Sequence, residues 1–510
     1  MTLNQHITPT GECILYTGTP NLVRLDELAA GPGDIWHSGP DRGWRDAFPE
    51  IAYQSTVFFW YVRDFKNLEV CPSWRMEPDA FAVRKGVWEQ LGGFDRVFQN
   101  PAIAALDFAF NALRNQGAVV LHVSGLYPAA TGNPQISTLD RYRFYARNFK
   151  RQHALFMIWR KGFWKIGEWR AFFRASKIPL RHDYPVVAPR PLEAMRGTPS
   201  VSYIIPTMSR QDYALALLRD LSAQSYKPAQ VVVVDATPAA ERDESLYDPS
   251  AFPFQLDVIW QTSKGSCRAR NEAIAVCTGD YIAFGDDDIR IPADFIENHV
   301  RFLQTNRTEA ANGLDVRADH HTDDLDKLAE KRRKMKPAQK RAGAAQLMSN
   351  SNAFVSRRAV ESVGGNDINY DGGYGEDNDF GLSIAKTGVI FLQNPHSANL
   401  HLKPPAGGYR VWGNQAKKTG KTRKAQPWEL DTPVKRVRPV PSPTVMYYYE
   451  KQFGPELVKE YRHKYFFLYL FKKGLKGLPA RILRLPYRQI QFNRSLFYAK
   501  KLMALGPRTK

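Results

Sequence analysis

Asp286, Asp287 and Asp288 stand together at the end of an apolar run, Gly279-Asp-Tyr-Ile-Ala-Phe-Gly-Asp-Asp-Asp288. Tyr281 to Phe284 read as a short buried strand. The triplet therefore caps a strand end, where open α/β sheets put their ligands. Asp286 and Asp288, spaced as Asp-X-Asp, can face one hard divalent cation, and that cation can hold a diphosphate. A bare acidic triplet also suits a solvated turn, so its surroundings decide.

Upstream, Val201-Ser-Tyr-Ile-Ile-Pro-Thr207 is an apolar strand ending in Pro206 and Thr207. An amphipathic helix follows, with Leu215, Leu218, Leu221 and Gln224 near one stripe. Gln230-Val-Val-Val-Val-Asp235 is a second apolar strand of the kind that parallel sheets bury on both faces. Lys264-Gly-Ser-Cys-Arg-Ala-Arg270 reads as a basic turn opening a helix. Strand, helix, strand, helix, strand and acidic turn form a nucleotide-binding βαβ order.

These segments, with Asn352-Ala-Phe-Val-Ser-Arg-Arg358, Val363-Gly-Gly365 and Gly375-Glu-Asp-Asn-Asp-Phe-Gly-Leu382, resemble the inverting family 2 glycosyltransferases of the GT-A fold. The resemblance covers roughly residues 199 to 405. It implies an α/β fold with a Rossmann-like nucleotide-sugar domain and a hexosyltransferase-type reaction. A nucleotide-diphosphate sugar, UDP-linked by expectation, is the donor, and a glycan or lipid-linked hydroxyl is the acceptor. Attack by that hydroxyl needs a base and charge neutralisation for the leaving diphosphate. The resemblance makes Asp377 the base and has Glu376 orient the acceptor. It gives Asp288 and Asp286 to a divalent metal, Mn2+ or Mg2+, with His401 as a further ligand and His396 as the rival histidine. Pro206, Thr207, Asp235, Lys264, Arg270, Asp286 and Asp287 are expected on the nucleotide-sugar side. Asp379 is expected to brace the helix rather than do chemistry. Val-Asp-Ala-Thr-Pro after the second strand departs from the family's double-Asp turn, which weakens the Asp235 assignment.

Four regions are expected. Residues 1–130 carry Ala80-Phe-Ala-Val-Arg-Lys85, Leu91-Gly-Gly-Phe-Asp95 and Leu106-Asp-Phe-Ala-Phe110, which parallel segments near 353–358, 363–367 and 378–382. Asp107 and Gly92 align with Asp379 and Gly364 at one offset of 272 residues, and Ala104 and Ala105 then face Glu376 and Asp377. This region reads as a degenerate, partial glycosyltransferase-like domain, or as a chance match of short motifs. Residues 131–198 read as a helical connector and Pro-rich linker, 199–410 as the catalytic domain, and 411–510 as a basic, aromatic-rich helical region.

The chain of 510 residues has a formal net charge of +20 and four cysteines without metal or disulfide spacing, which favours a reducing compartment. The N-terminus shows no secretory signal pattern, and no apolar run reaches the ~18 residues of a spanning helix. The expected location is cytoplasmic, peripheral on the inner face of the cell membrane. From Tyr461 to Lys510 there are thirteen Lys and Arg and no Asp or Glu, interleaved with aromatics such as Tyr465, Phe466, Phe467, Phe492 and Tyr498. That pattern suits an anionic membrane surface, and equally a basic appendage packed on the catalytic domain; nucleic acid is not the expected partner. A second basic run, Lys327 to Arg341, holds eight cations and reads either as a solvated helix face or as a site for an anionic acceptor. The competing functional class is a non-catalytic basic protein that binds polyanions or nucleic acid on a glycosyltransferase-like fold.

Overall fold

The structure, a computed structural model, describes residues 2–39, 68–128, 136–345, 348–409, 426–471, 474 and 476–510. Parts of the expected regions, including 411–425 and the tail cations Lys472 and Lys473, lie outside the described residues.

The first unit is a mixed sheet built from β1 (Asn4–Ile7), β2 (Cys13–Tyr16), β3 (Ile35–His37), β4 (Val70–Pro72), β5 (Phe81–Arg84) and β6 (Val120–Val123), in the order β1-β2-β5-β3-β6-β4. Its helices are α1 (Leu22–Ala29), α2 (Lys85–Leu91) and α3 (Pro101–Asn111), followed by α4 (Thr138–Asn148), α5 (Arg151–Lys161) and α6 (Ile166–Ala175). Alternate strand residues face opposite ways, as the pleat requires. Leu15, Ile35, Phe81 and Val83 face the helices, whereas Ile14, Trp36 and Ala82 join the core of the second unit. The stretch 131–198, expected as a connector, buries Tyr142, Phe144 and Phe172 in the same core as α3. The aromatic content that marked it in the sequence is core material.

The second unit holds β7 (Val201–Thr207), β8 (Gln230–Asp235), β9 (Gln255–Trp260), β10 (Tyr281–Phe284), β11 (Ile289–Arg290), β12 (Ala310–Arg317), β13 (Ala353–Ser356) and β14 (Phe391–His401), in the order β11-β14-β12-β13-β10-β7-β8-β9. The run β10-β7-β8-β9 is parallel. Every residue of β7 and β8 is buried, because α7 (Gln211–Ser222) and α9 (Phe295–Asn306) cover one face and α8 (Ser266–Val276) covers the other. The remaining helices of this unit are α10 (Leu325–Lys334), α11 (Arg357–Glu361) and α12 (Glu376–Ala385).

Both sheets share a local topology. In the second unit β10-β13-β12-β14 pair antiparallel, antiparallel and parallel. In the first unit β2-β5-β3-β6 pair in the same order and sense. β5 runs directly into α2 as β13 runs into α11. The buried Asp107 of α3, bonded by Asn148, corresponds to the buried Asp379 of α12, bonded by Lys451 and Gln452. Asp379 thus braces its helix, as expected.

The chain ends in α13 (Pro443–Phe453), α14 (Pro455–Phe471), α15 (Leu478–Leu483) and α16 (Leu485–Leu505). Phe492 and Tyr498 are fully buried and Phe467 is nearly so. Tyr465 and Phe466 pack against the same core as the first unit's helices. These aromatics, expected to face a membrane, are therefore mostly packed inside. The reason is helical spacing: α16 lays Phe492, Ser495, Tyr498, Ala499 and Leu502 along one buried stripe. Among the described residues, no helix is long and apolar enough to cross a membrane.

Candidate active site

The acidic triplet leaves β10 at Gly285, where any Cβ would collide with the Tyr203 hydroxyl. Only glycine lets the strand end approach β7 so closely. Beyond the triplet, β11 pairs with the end of β14, Ile289 opposite His401, and the Leu402 amide donates to the Asp288 carbonyl at 2.7 Å. That ladder brings a histidine from 113 positions later in the chain to the carboxylates. His401 Nε2 is 3.3 Å from Asp288, and its Nδ1 is 2.9 Å from Asp315. Burial opposes a charge on this ring, but Asp288 and Asp315 outweigh it and raise its pKa to about 9.

Ligand atoms of Asp286, Asp288 and His401 all lie within 4.8 Å of one another. Two carboxylates and an imidazole suit Mn2+ or Mg2+ by donor type. Asp315 on the far ring nitrogen is the kind of partner that orients a metal-binding histidine. The residues present therefore fit a divalent cation. His396, the rival, lies elsewhere: its ring packs near Phe302, 6.3 Å between centroids.

Two arginines and a threonine complete the acidic end. Arg270, from α8, pairs with Asp286 at 2.7 Å. Thr207 donates to Asp287 at 2.8 Å, and Arg210 donates to Asp287 at 3.2 Å and Asp288 at 3.1 Å. Burial pushes the Asp287 carboxyl up to about 7 even against Arg210. Arg210 and Asp315 were not singled out in the sequence. Arg210 sits three residues past a strand end among motif residues, which was a usable signal, whereas Asp315 is brought in by the β12–β14 pairing and had none.

Across the cleft, α12 begins with Glu376 and Asp377 after Gly375, whose φ of 105° favours glycine. Burial first, then the adjacent Asp377 carboxylate, pushes Glu376 up to about 8. Against its own burial, Arg270 is held charged by Asp286, Asp377 and Glu376, so it stands between the two acidic groups. Asp286, Asp287, Asp288, His401, Glu376 and Asp377 line one cavity of about 1100 Å³, with Pro206, Arg210 and Arg270 in its wall. Lys403, Lys435, Arg436 and Arg438 line it too.

Asp235 and Lys264 are not among the cavity-lining residues. Asp235 is fully buried and accepts from the Tyr247 hydroxyl at 3.1 Å and the Thr237 amide at 2.7 Å. Lys264 is exposed. The basic run begins as α10, and its cations face solvent carboxylates: Lys327 and Lys331 pair with Asp319, and Lys334 pairs with Glu330. It is a solvated helix face rather than a cleft wall.

Residues 202–364 match the model of the Glycosyl transferase family 2. This segment is similar to the family 2 glycosyltransferases. The chain is 28% identical over 99 residues to an Escherichia coli (strain K12) protein named as a colanic acid biosynthesis glycosyl transferase, WcaA. That match covers 18% of this chain and 34% of WcaA. It is 26% identical over 104 residues to a Bacillus subtilis (strain 168) protein named as a glycosyltransferase, EpsH, covering 20% of this chain and 30% of EpsH. The matches thus span about a third of the length of these curated relatives. Among solved structures, a mannosyltransferase from Pyrobaculum calidifontis in complex with GDP-Man and Mn2+ aligns at 20% identity and a TM-score of 0.35, over 61% of this chain and 89% of that one. The fold of residues 201–401 is the α/β, GT-A-like arrangement that the motif order predicts.

Proposed function

We propose that the chain is a metal-dependent, inverting glycosyltransferase. It moves a hexosyl group from a nucleotide-diphosphate sugar, a UDP-sugar being the first to test, to a hydroxyl of a glycan or lipid-linked acceptor. One observation carries this reading: a cation-fitting triad and a carboxylate pair open into the same cavity. In one displacement the acceptor oxygen bonds to the anomeric carbon as the bond from that carbon to phosphate oxygen breaks. The nucleoside diphosphate leaves, and the configuration inverts. Asp377 takes the hydroxyl proton, and Glu376, which keeps its own proton at neutral pH, donates a hydrogen bond that orients the acceptor. Arg270 and Arg210 face the diphosphate with charge-assisted hydrogen bonds. Asp286, Asp288 and His401 would hold a divalent cation, which would supply charge neutralisation for the leaving group.

Lys403, Lys435, Arg436 and Arg438 in the cavity wall favour an acceptor that carries an anionic group. This suits a surface polysaccharide or glycolipid built on a charged carrier, at the inner face of the cell membrane. Residues 1–130 form a degenerate, partial repeat: Ala104 and Ala105 of α3 offer methyl groups where α12 offers Glu376 and Asp377, so α3 carries no base at those positions.

Purified protein screened against a panel of nucleotide sugars, with and without Mn2+, tests the proposal. Metal-dependent nucleotide release that Asp377→Asn removes supports it. No release with any donor, together with tight binding of a polyanion, would favour the non-catalytic reading.

A further inference from the structure

We infer that the elbow between α5 and α6 forms a face that docks on an anionic lipid bilayer. Phe163, Trp164 and Ile166 are 62%, 70% and 68% exposed, and Phe173 and Trp159 are also exposed. So large an exposed apolar patch marks an interaction surface. The elbow is a built structure. Gly162 turns the chain at φ 111°, and a Cβ there would strike the Trp164 ring. Trp169 Nε1 donates to the Phe163 carbonyl at 2.7 Å. The Phe163 and Trp164 rings stand edge to face with centroids 5.1 Å apart.

The tail borders this elbow. Trp159 lies 6.1 Å from Phe467 and 6.0 Å from Phe471, both on α14. Further along the tail, Leu483 of α15 is 82% exposed and Ile482 is exposed beside it, as are Tyr487 and Ile490 of α16. Charge identifies the occupant. Lys165, Arg170, Arg174, Lys177, Lys476 and Arg484 are exposed around these side chains. The one acidic residue between Lys161 and Lys177 is Glu168, which is buried and accepts from the Tyr142 hydroxyl. Aromatic and aliphatic side chains beside cations that make no ion pair among the described residues match the headgroup boundary of an acidic bilayer, where Trp and Tyr concentrate.

Vesicle binding by the full chain tests this, and nucleotide release plays no part in the readout, so it stands or falls separately from the transferase proposal. Deleting the tail would open the core around Phe492 and Tyr498, so point variants are used. One triple variant is Phe163→Ala with Trp164→Ala and Ile166→Ala; a second is Lys165→Glu with Arg170→Glu and Arg174→Glu. Wild type should sediment with phosphatidylcholine vesicles containing phosphatidylglycerol and not with phosphatidylcholine alone. Each triple variant should lower the partition coefficient on the order of ten-fold or more. Brominated lipids should quench wild-type tryptophan fluorescence, and Trp164→Ser should lose most of that quenching, which keeps the test decisive if a triple variant misfolds. No quenching, or equal sedimentation with both vesicle types, would overturn the inference. So would a dimer that the apolar triple variant dissociates in the absence of lipid binding, because the face would then belong to a second copy.

Discussion

The Lys451 ammonium lies 2.7 Å from the Asp379 carboxylate and 2.8 Å from that of Asp367. Both acids are almost fully buried, and Tyr447 also donates to Asp367 at 2.7 Å. One cation on α13 thus ties the C-terminal helices to the helix that presents Glu376 and Asp377. Lys451→Met should destabilise the protein by about 3–5 kcal/mol, the usual effect of leaving a buried charge unpaired. Chemical denaturation checks this, and adding Asp379→Asn should recover part of the loss. An unchanged midpoint for Lys451→Met would show the bridge to be dispensable.

Asp377→Asn should lower turnover by about 10²–10⁴, the usual effect of losing a general base, while donor binding stays near that of the parent. Steady-state rates alongside nucleotide titration separate the two effects. Turnover within a few-fold of the parent would remove Asp377 from the base role.

Asp288→Ala should abolish metal-dependent binding of the donor nucleotide, and His401→Ala should weaken it on the order of ten-fold or more, the range seen when metal sites lose supporting groups. His396→Ala should leave it unchanged. Metal titration followed by nucleotide binding reads all three. A His396 variant that loses metal affinity while the His401 variant keeps it would reverse the assignment.

Glu376 supplies a pH dependence. Its carboxyl rises from 4.5 to about 8 through burial and Asp377. A raised folded value means the folded state holds the proton more tightly than the unfolded chain. Its stabilising contribution is therefore full below 4.5 and is lost as pH climbs through about 8. Glu376→Gln, which cannot ionise, should escape that loss. The unfolding free energy of the variant relative to wild type should climb across that window and level off above it. A difference that stays flat with pH would show that the carboxyl is not perturbed in the fold.

The strand-end chemistry was legible because each motif sits where a chain periodicity breaks. The Val run ends at Asp235, the apolar strand ends at Asp286, and Gly375 precedes Glu376. His401 could be chosen over His396 from its motif context, and the β11–β14 ladder supplies the physical reason. Asp235 was harder, since strand-end position does not reveal that Tyr247 and Thr237 already occupy its oxygens. The tail misled for a different reason. Counting cations and aromatics from Tyr461 onward ignores which side of a helix each occupies, and α16 turns Phe492 and Tyr498 inward. The exposed aromatics of the α5–α6 elbow were overlooked because a short Trp-rich loop between helices looks like core sequence.

The shared core has a consequence for how the protein comes into being. Phe81, Phe108, Tyr145 and Met157 pack in one cluster with Met446, Phe492 and Tyr498, and Arg160 grips Glu460 across 300 positions. On the ribosome the first unit emerges long before the helices that finish its interior. Its apolar surface must then wait, shielded by chaperones or loosely collapsed, while the intervening sheet is made. Closure of contacts so distant in sequence is slow. Mature shape should therefore arrive in a late, concerted step rather than unit by unit as synthesis proceeds.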